Sequence, residues 1–294
     1  MFVSLSADRK VREINMTSLQ KIIKYLAGAF ACFLIVSIVF GIFSAIASIS
    51  YLRGGRTTCV EPHEIFQETV SDGGAKSLTA QIGAAELIIK KGDVFRSESN
   101  SKYITCTQNG DTMVIKEKRG FLSKGILRGH GENTVTVYIP ENFVLDTACI
   151  EAGAGKVSID TLSAENLKLD IGAGEMTVNK LDAKKRAELD IGAGEMTISS
   201  GRISNLDLDS GVGEVNLTAE LSGRSDVDFG IGEVNLHLIG DANDYKIELD
   251  KGIGSATLNG REMHDNETYG NGASCITLDG GVGSVNVDFK DAAK

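Results

Sequence analysis

Through the second half of the chain, apolar and polar positions fall into one block that recurs seven times. Two copies are nearly identical, DIGAGEMTV over 170–178 and DIGAGEMTI over 190–198. EAGAGKVSI from Glu151, DSGVGEVNL from Asp209, DFGIGEVNL from Asp228, DKGIGSATL from Asp250 and DGGVGSVNV from Asp279 align with them without a gap. Three residues before the first glycine stands Ile150, Leu169, Leu189, Leu208, Val227, Leu249 or Leu278. Four and six residues after it come apolar pairs such as Met176 and Val178, separated by Ser, Thr or Asn. A period of two is that of a strand with one buried face. The residue between the glycines is always Ala, Val or Ile, and the pattern predicts that it too points inward. The second glycine then falls at a corner, where positive φ or tight stacking is needed. The first glycines stand at 153, 172, 192, 211, 230, 252 and 281, in steps of 19, 20, 19, 19, 22 and 29. That period is short for helical repeats and fits a β-solenoid rung. Two strands joined by the corner, with a third short segment closing the coil, would stack about 4.8 Å apart.

The flanks extend the picture. Leu78, Ala80, Gly83, Leu87 and Ile89 repeat the block in degenerate form, with Ala85 in place of the second glycine, which brings the count to about eight G-x-G rungs. SKYITCTQNGDTMVIKEK reads as a hairpin turning at Asn109-Gly110-Asp111. TVTVYIP, ended by Pro140, is a further strand, and 91–140 is expected to cap the first full rung. Leu162, Leu181, Leu221 and Ile239 recur near the third side of the coil, and DAKKRAE reads as a solvated turn. The segment 260–273 is an inserted loop. The copy from Asp279 is expected to be the terminal rung.

Charge divides the chain. Residues 1–24 hold five basic and two acidic residues, 25–52 hold none, and 53–294 hold 25 basic and 38 acidic. The uncharged run is long enough to cross a bilayer as a helix. A cleavable signal peptide is the competing reading, since Ala45-Ile46-Ala47 resembles a cleavage site, but the run exceeds the usual apolar length of one. Arg9, Lys10, Arg12, Lys21 and Lys24 before the span place the N-terminus in the cytoplasm and the β domain outside the membrane. The expected organisation is a basic tail at 1–24, a transmembrane helix at 25–52, a tether at 53–76, an extracytoplasmic solenoid at 77–289 and a charged tail at 290–294. An acidic body without a basic stripe excludes nucleic acid as a partner. Cys59, Cys106, Cys149 and Cys275 would lie in a disulfide-permissive compartment, paired or free.

Candidate chemistry concentrates in two acid rows. One is Glu151, Asp170, Asp190, Asp209, Asp228, Asp250 and Asp279, two residues before each first glycine; the other is Glu175, Glu195, Glu214 and Glu233, three residues after it. With the apolar positions facing in, both rows face solvent. Like charges 4.8 Å apart repel by about 0.9 kcal/mol in water, tolerable for a charged surface that opposes aggregation. The alternative is a ladder for a cation such as Ca²⁺, through Asp170, Asp190, Asp209 and Asp228 with their Glu partners, or for a cationic protein. The glycine pairs are no phosphate loop, because each copy runs into a strand instead of a helix N-terminus. No nucleophile–base set, paired-carboxylate site or cofactor motif emerges, and His63, His130, His237 and His264 are scattered.

The leading rung, the strand pair, Val-Tyr-Ile-Pro at 137–140 and the G-x-G-[ED] ladder together resemble the putative-adhesin family of bacterial surface β-solenoids, also called toastrack domains, over roughly 60–289. The resemblance implies a membrane-attached envelope protein without enzymatic activity or catalytic residues, associated with envelope-stress signalling. Lys156, Ser255 and Ser284 depart from it where an acid is usual. The reading is therefore a non-enzymatic, membrane-anchored binding or sensing module, whose partner is an envelope protein or a second copy at the C-terminal edge of the solenoid. Its rivals are a polysaccharide-acting β-helix enzyme, which would place Lys or Arg beside the carboxylates, and a structural spacer.

Overall fold

The structure is a computed structural model and describes residues 65–118 and 133–290. The expected transmembrane helix, the basic tail and Cys59 lie outside the described residues, and among those residues no helix is long and apolar enough to cross a membrane. The described residues are all-β and form one sheet of fifteen strands.

The repeats wind through β8 (Leu145–Ile198), β10 (Leu206–Ser222), β11 (Arg224–Ile239), β12 (Tyr245–Leu258) and β15 (Ser274–Lys290). Pairing is parallel and in register: Leu208 lies between Leu189 and Val227, and Val215 lies between Met196 and Val234. Identical positions therefore stack, and the buried columns form one core. A fully buried Leu, Val or Met contributes about 1.5–3 kcal/mol, which is why an isolated rung has no stability and the ladder does. The third side carries Leu162, Leu181, Ile203 (on β9, Gly201–Ser204) and Leu221, all buried. DAKKRAE belongs to this wall and is not only a turn: Ala183 and Ala187 are buried, while Lys184, Lys185 and Arg186 are exposed. Beyond Leu221 the third side is closed by Tyr245, whose hydroxyl accepts from Leu221 N at 3.3 Å and donates to Ile239 O at 2.8 Å, with its ring against Phe289. Ile239 itself continues β11 opposite Lys290.

At the N-terminal end, β2 (Ser77–Ile82) and β3 (Glu86–Gly92) form the degenerate rung on β8, with Ala80 opposite Ile150 and Leu87 opposite Val157. β6 (Thr112–Glu117) and β7 (Thr134–Pro140) add one more parallel strand to each arm. Antiparallel strands then lie against them: β5 (Ile104–Asn109) on β6, and β4 (Arg96–Ser99) on β7. The hairpin between β5 and β6 turns with Gly110 at φ 60°. β1 (Gln67–Val70) pairs with β4, so this part of the expected tether belongs to the sheet.

Two expectations are corrected. The residue between the glycines points outward: Ala154 and Ala173 are exposed, and Val282 and Ile253 are 45% and 66% exposed. The inward residue is the one before the first glycine, such as Ile171 or Ile191, because the chain turns the corner with its apex to solvent. The Asp279 copy is also not terminal. β15 inserts between β11 and β12, pairing Val285 with both Val234 and Ala256. The two ends of β12's far edge are covered by β13 (Arg261–Glu262) and β14 (Thr268–Gly270), which follow it directly, so the last copy fills the space beside β11.

Candidate functional site

The corner orders the site. At Gly213, φ is +153° and a Cβ would lie 1.9 Å from Gly194 O; at Gly232 the corresponding distance is 1.8 Å, to Gly213 O. Only hydrogen fits where one rung's backbone lies on the next. The degenerate rung tolerates Ala85 because no further corner lies above it. There the Glu117 carboxylate stands in for a rung, accepting from Gly83 N at 2.5 Å and Ala84 N at 3.0 Å.

Fixed register turns sequence columns into surface columns. The apex residues run Ala154, Ala173, Ala193, Val212, Ile231, Val282, Ile253 in spatial order, a ridge that grows in size along the stack. On one side run the aspartates: Asp190 beside Asp209, then Asp228, Asp279 and Asp250. Asp170 and Asp190 are half-buried, while Asp209 and Asp228 are exposed. On the other side Glu195, Glu214 and Glu233 are in register, and with Glu175 all four are exposed. Lys156 at the head of this row pairs with Glu175 at 3.3 Å. The next outward column is an amide ladder: Asn235 Nδ2 donates to Asn216 Oδ1 at 3.0 Å, and Asn286 Nδ2 to Asn235 Oδ1 at 2.9 Å.

The aspartate column carries the strain expected of stacked charge. Partial burial, then neighbouring carboxylates, push Asp170, Asp209 and Asp228 above the usual range; the neighbour is Asp190 for the first two, and Asp209 with Asp279 for Asp228. Sequence reasoning missed the parallel outward column two residues upstream, Lys168, Glu188, Asp207 and Asp226. Its signal was the same alternation, read two residues earlier. Lys168 bonds Glu188 and lies 3.2 Å from Asp190, so a base stands beside the ladder. Those hydrogen bonds raise its pKa and favour the charged ammonium. Arg186 and Arg224 pair with Asp207 and Asp226 at the rim.

Among the described residues no three His, Cys, Asp or Glu side chains converge as a metal site. Cys106, Cys149 and Cys275 are free thiols. His237 pairs with Asp288 at 2.8 Å, one more tie between β11 and β15.

A family model described as Toastrack DUF4097 matches residues 85–265. No curated protein matches. Solved structures with similarity to the chain include a putative cell adhesion protein from Clostridium sporogenes, 18% identical over 76% of this chain and 98% of that one, with a TM-score of 0.33. A putative adhesin from Parabacteroides distasonis is 15% identical over 76% and 95%, with a TM-score of 0.39. One from Bacteroides fragilis is 12% identical over 76% and 97%, with a TM-score of 0.38.

Proposed function

The chain belongs to the toastrack DUF4097 family, and on that premise we propose that it is a membrane-anchored, extracytoplasmic binding module that docks a cationic amphipathic segment of an envelope protein on its corner face. The observation that carries the reading is the ridge itself: Val212 and Ile231 face outward between two acid columns, and Val282 and Ile253 extend the apolar strip beside Asp279 and Asp250. An apolar strip buried by a partner supplies affinity, while flanking carboxylates select Lys and Arg and speed encounter. A face meant only for solubility has no use for exposed Ile and Val at its apex. The uncharged run at 25–52, after five basic residues in 1–24, supports single-span anchoring with the N-terminus in the cytoplasm.

Titration of the full chain with a Lys/Leu amphipathic peptide, and with its Glu/Leu counterpart, tests the docking. The basic peptide should bind with an affinity that falls as salt rises, and Ile231→Ser with Asp209→Asn should weaken it at least tenfold. Equal binding of both peptides refutes the reading. On intact cells, a membrane-impermeant thiol reagent should label a cysteine introduced at Thr197 and spare one at Lys10; the reverse pattern refutes the topology.

A further inference from the structure

The third side of the coil holds an open groove of about 600 Å³, and no residue of the two acid columns lines it. One wall is the turn between β7 and β8, where Pro140 and Phe143 present apolar surface and Phe143 is held against Phe95 at 5.9 Å between ring centroids. The floor is built from outward residues of successive rungs. Arg202 lies in register with Asp182 on one side and Glu220 on the other, and Ser204 is paired with Ser222. The two serine hydroxyls share a hydrogen bond of 2.8 Å. Asp182 is fixed from three directions: Lys180 at 3.4 Å, Arg202 Nε at 3.9 Å, and the backbone N–H of Arg202, which donates to it at 3.1 Å. The Arg202 side chain is 73% exposed, so its fork remains open to the groove.

We infer that this groove binds a linear glycan. Its floor alternates acceptor, donor and acceptor along the stack, beside the Ser204 and Ser222 hydroxyls, with Pro140 and Phe143 on a wall that also carries the Lys91–Glu141 pair. A saccharide presents donors and acceptors on every unit together with apolar ring faces, and satisfies all three kinds of surface at once. An acyl chain would desolvate the charged floor and offer its open donors and acceptors no hydrogen bond. Nucleic acid would meet carboxylates between the cations instead of a basic cluster. Rungs about 4.8 Å apart advance at a rate comparable to one sugar unit in an extended chain. Four rungs of third side, ending where Tyr245 closes it, take about three units. The groove shares no residue with the corner ridge, so a glycan and a protein partner would bind independently.

The test is calorimetric titration of the full chain with chitopentaose, xylopentaose and pentagalacturonate. At least one should bind, with Arg202→Ala weakening it tenfold or more, Ser222→Trp abolishing it, and the corner variant Glu214→Gln leaving it unchanged, all at an unaltered melting temperature. Both groove substitutions are on surface side chains, and melting curves separate lost binding from lost folding. Binding of none of the three at millimolar concentration overturns the inference. So does binding that survives both groove variants.

Discussion

Replacing Gly213 with Ala exchanges one hydrogen for a methyl group, and the geometry fixes what it must disturb. The new Cβ would lie 1.9 Å from Gly194 O and 2.9 Å from Gly194 C, both backbone atoms, so no side chain can swing aside. Relief requires the rungs to part by about 1 Å locally, against a strand spacing of about 4.8 Å. That loosens the corner hydrogen bonds, worth about 1 kcal/mol each. The backbone at φ +153° adds about 1–3 kcal/mol of conformational strain for a residue with a Cβ. A loss of about 3 kcal/mol lowers the melting temperature by about 6–12 °C. Gly155 is the internal control: its φ is not positive, and a Cβ there meets Ala85 O at 2.7 Å, above which no further corner is stacked. Gly155→Ala should cost about 1 kcal/mol, within the range of a mild overpacking. Thermal melts of the purified full chain, followed by circular dichroism, measure both. If Gly213→Ala melts with the wild type, or if Gly155→Ala is the more damaging, close backbone stacking is not what the corner glycines provide.

Three further outcomes follow from particular residues. Asp170, Asp209 and Asp228 have raised pKa values, so the stability they contribute is present when they are protonated, below the ordinary carboxylate range, and is lost as pH rises through their raised values. Lowering pH from neutral into the carboxylate range should raise the wild-type melting temperature, while the triple Asp→Asn variant starts higher and responds less. Asp226, held low by Arg224, acts in the opposite sense and limits the gain at lower pH. Glu117→Ala removes the acceptor of Gly83 N and Ala84 N and should cost about 1–2 kcal/mol, confined by hydrogen exchange to the first rung. Asn286→Pro, on a strand paired on both sides, should remove exchange protection from β12 and β15 together; intact protection there would mean that β15 lies at an edge.

The repeat made most of this fold legible before any coordinates. Seven gapless copies fix strand alternation, corner and stacking together, and Ser77 to Ile89 was recognisable as a rung although Ala85 breaks its motif. What misled was the corner and the chain order. Apolar identity at the apex suggested burial, yet a corner between two glycines turns its middle residue outward whatever its hydropathy, and Ile253 is 66% exposed. Copies written in sequence order suggested stacking in the same order, but the steps of 22 and 29 residues leave enough chain for β12 to be laid down ahead of its turn and covered by its own hairpin strands. The outward column containing Lys168 and Glu188 lay in the same alternation; it was missed because its residue types vary from copy to copy. The groove on the third side was not readable at all, since Phe143, Arg202 and Ser222 meet only through the winding of the coil.

A photo-crosslinking residue at Ile231 in the intact protein, in its own membrane, tests the corner-face reading most directly. The expected result is a discrete adduct with a protein segment rich in Lys or Arg, lost when Asp209, Asp228, Glu214 and Glu233 are replaced by their amides, and absent when the crosslinker is moved to Thr218. An adduct that persists after the four carboxylates are neutralised, or no adduct from Ile231 at all, contradicts it.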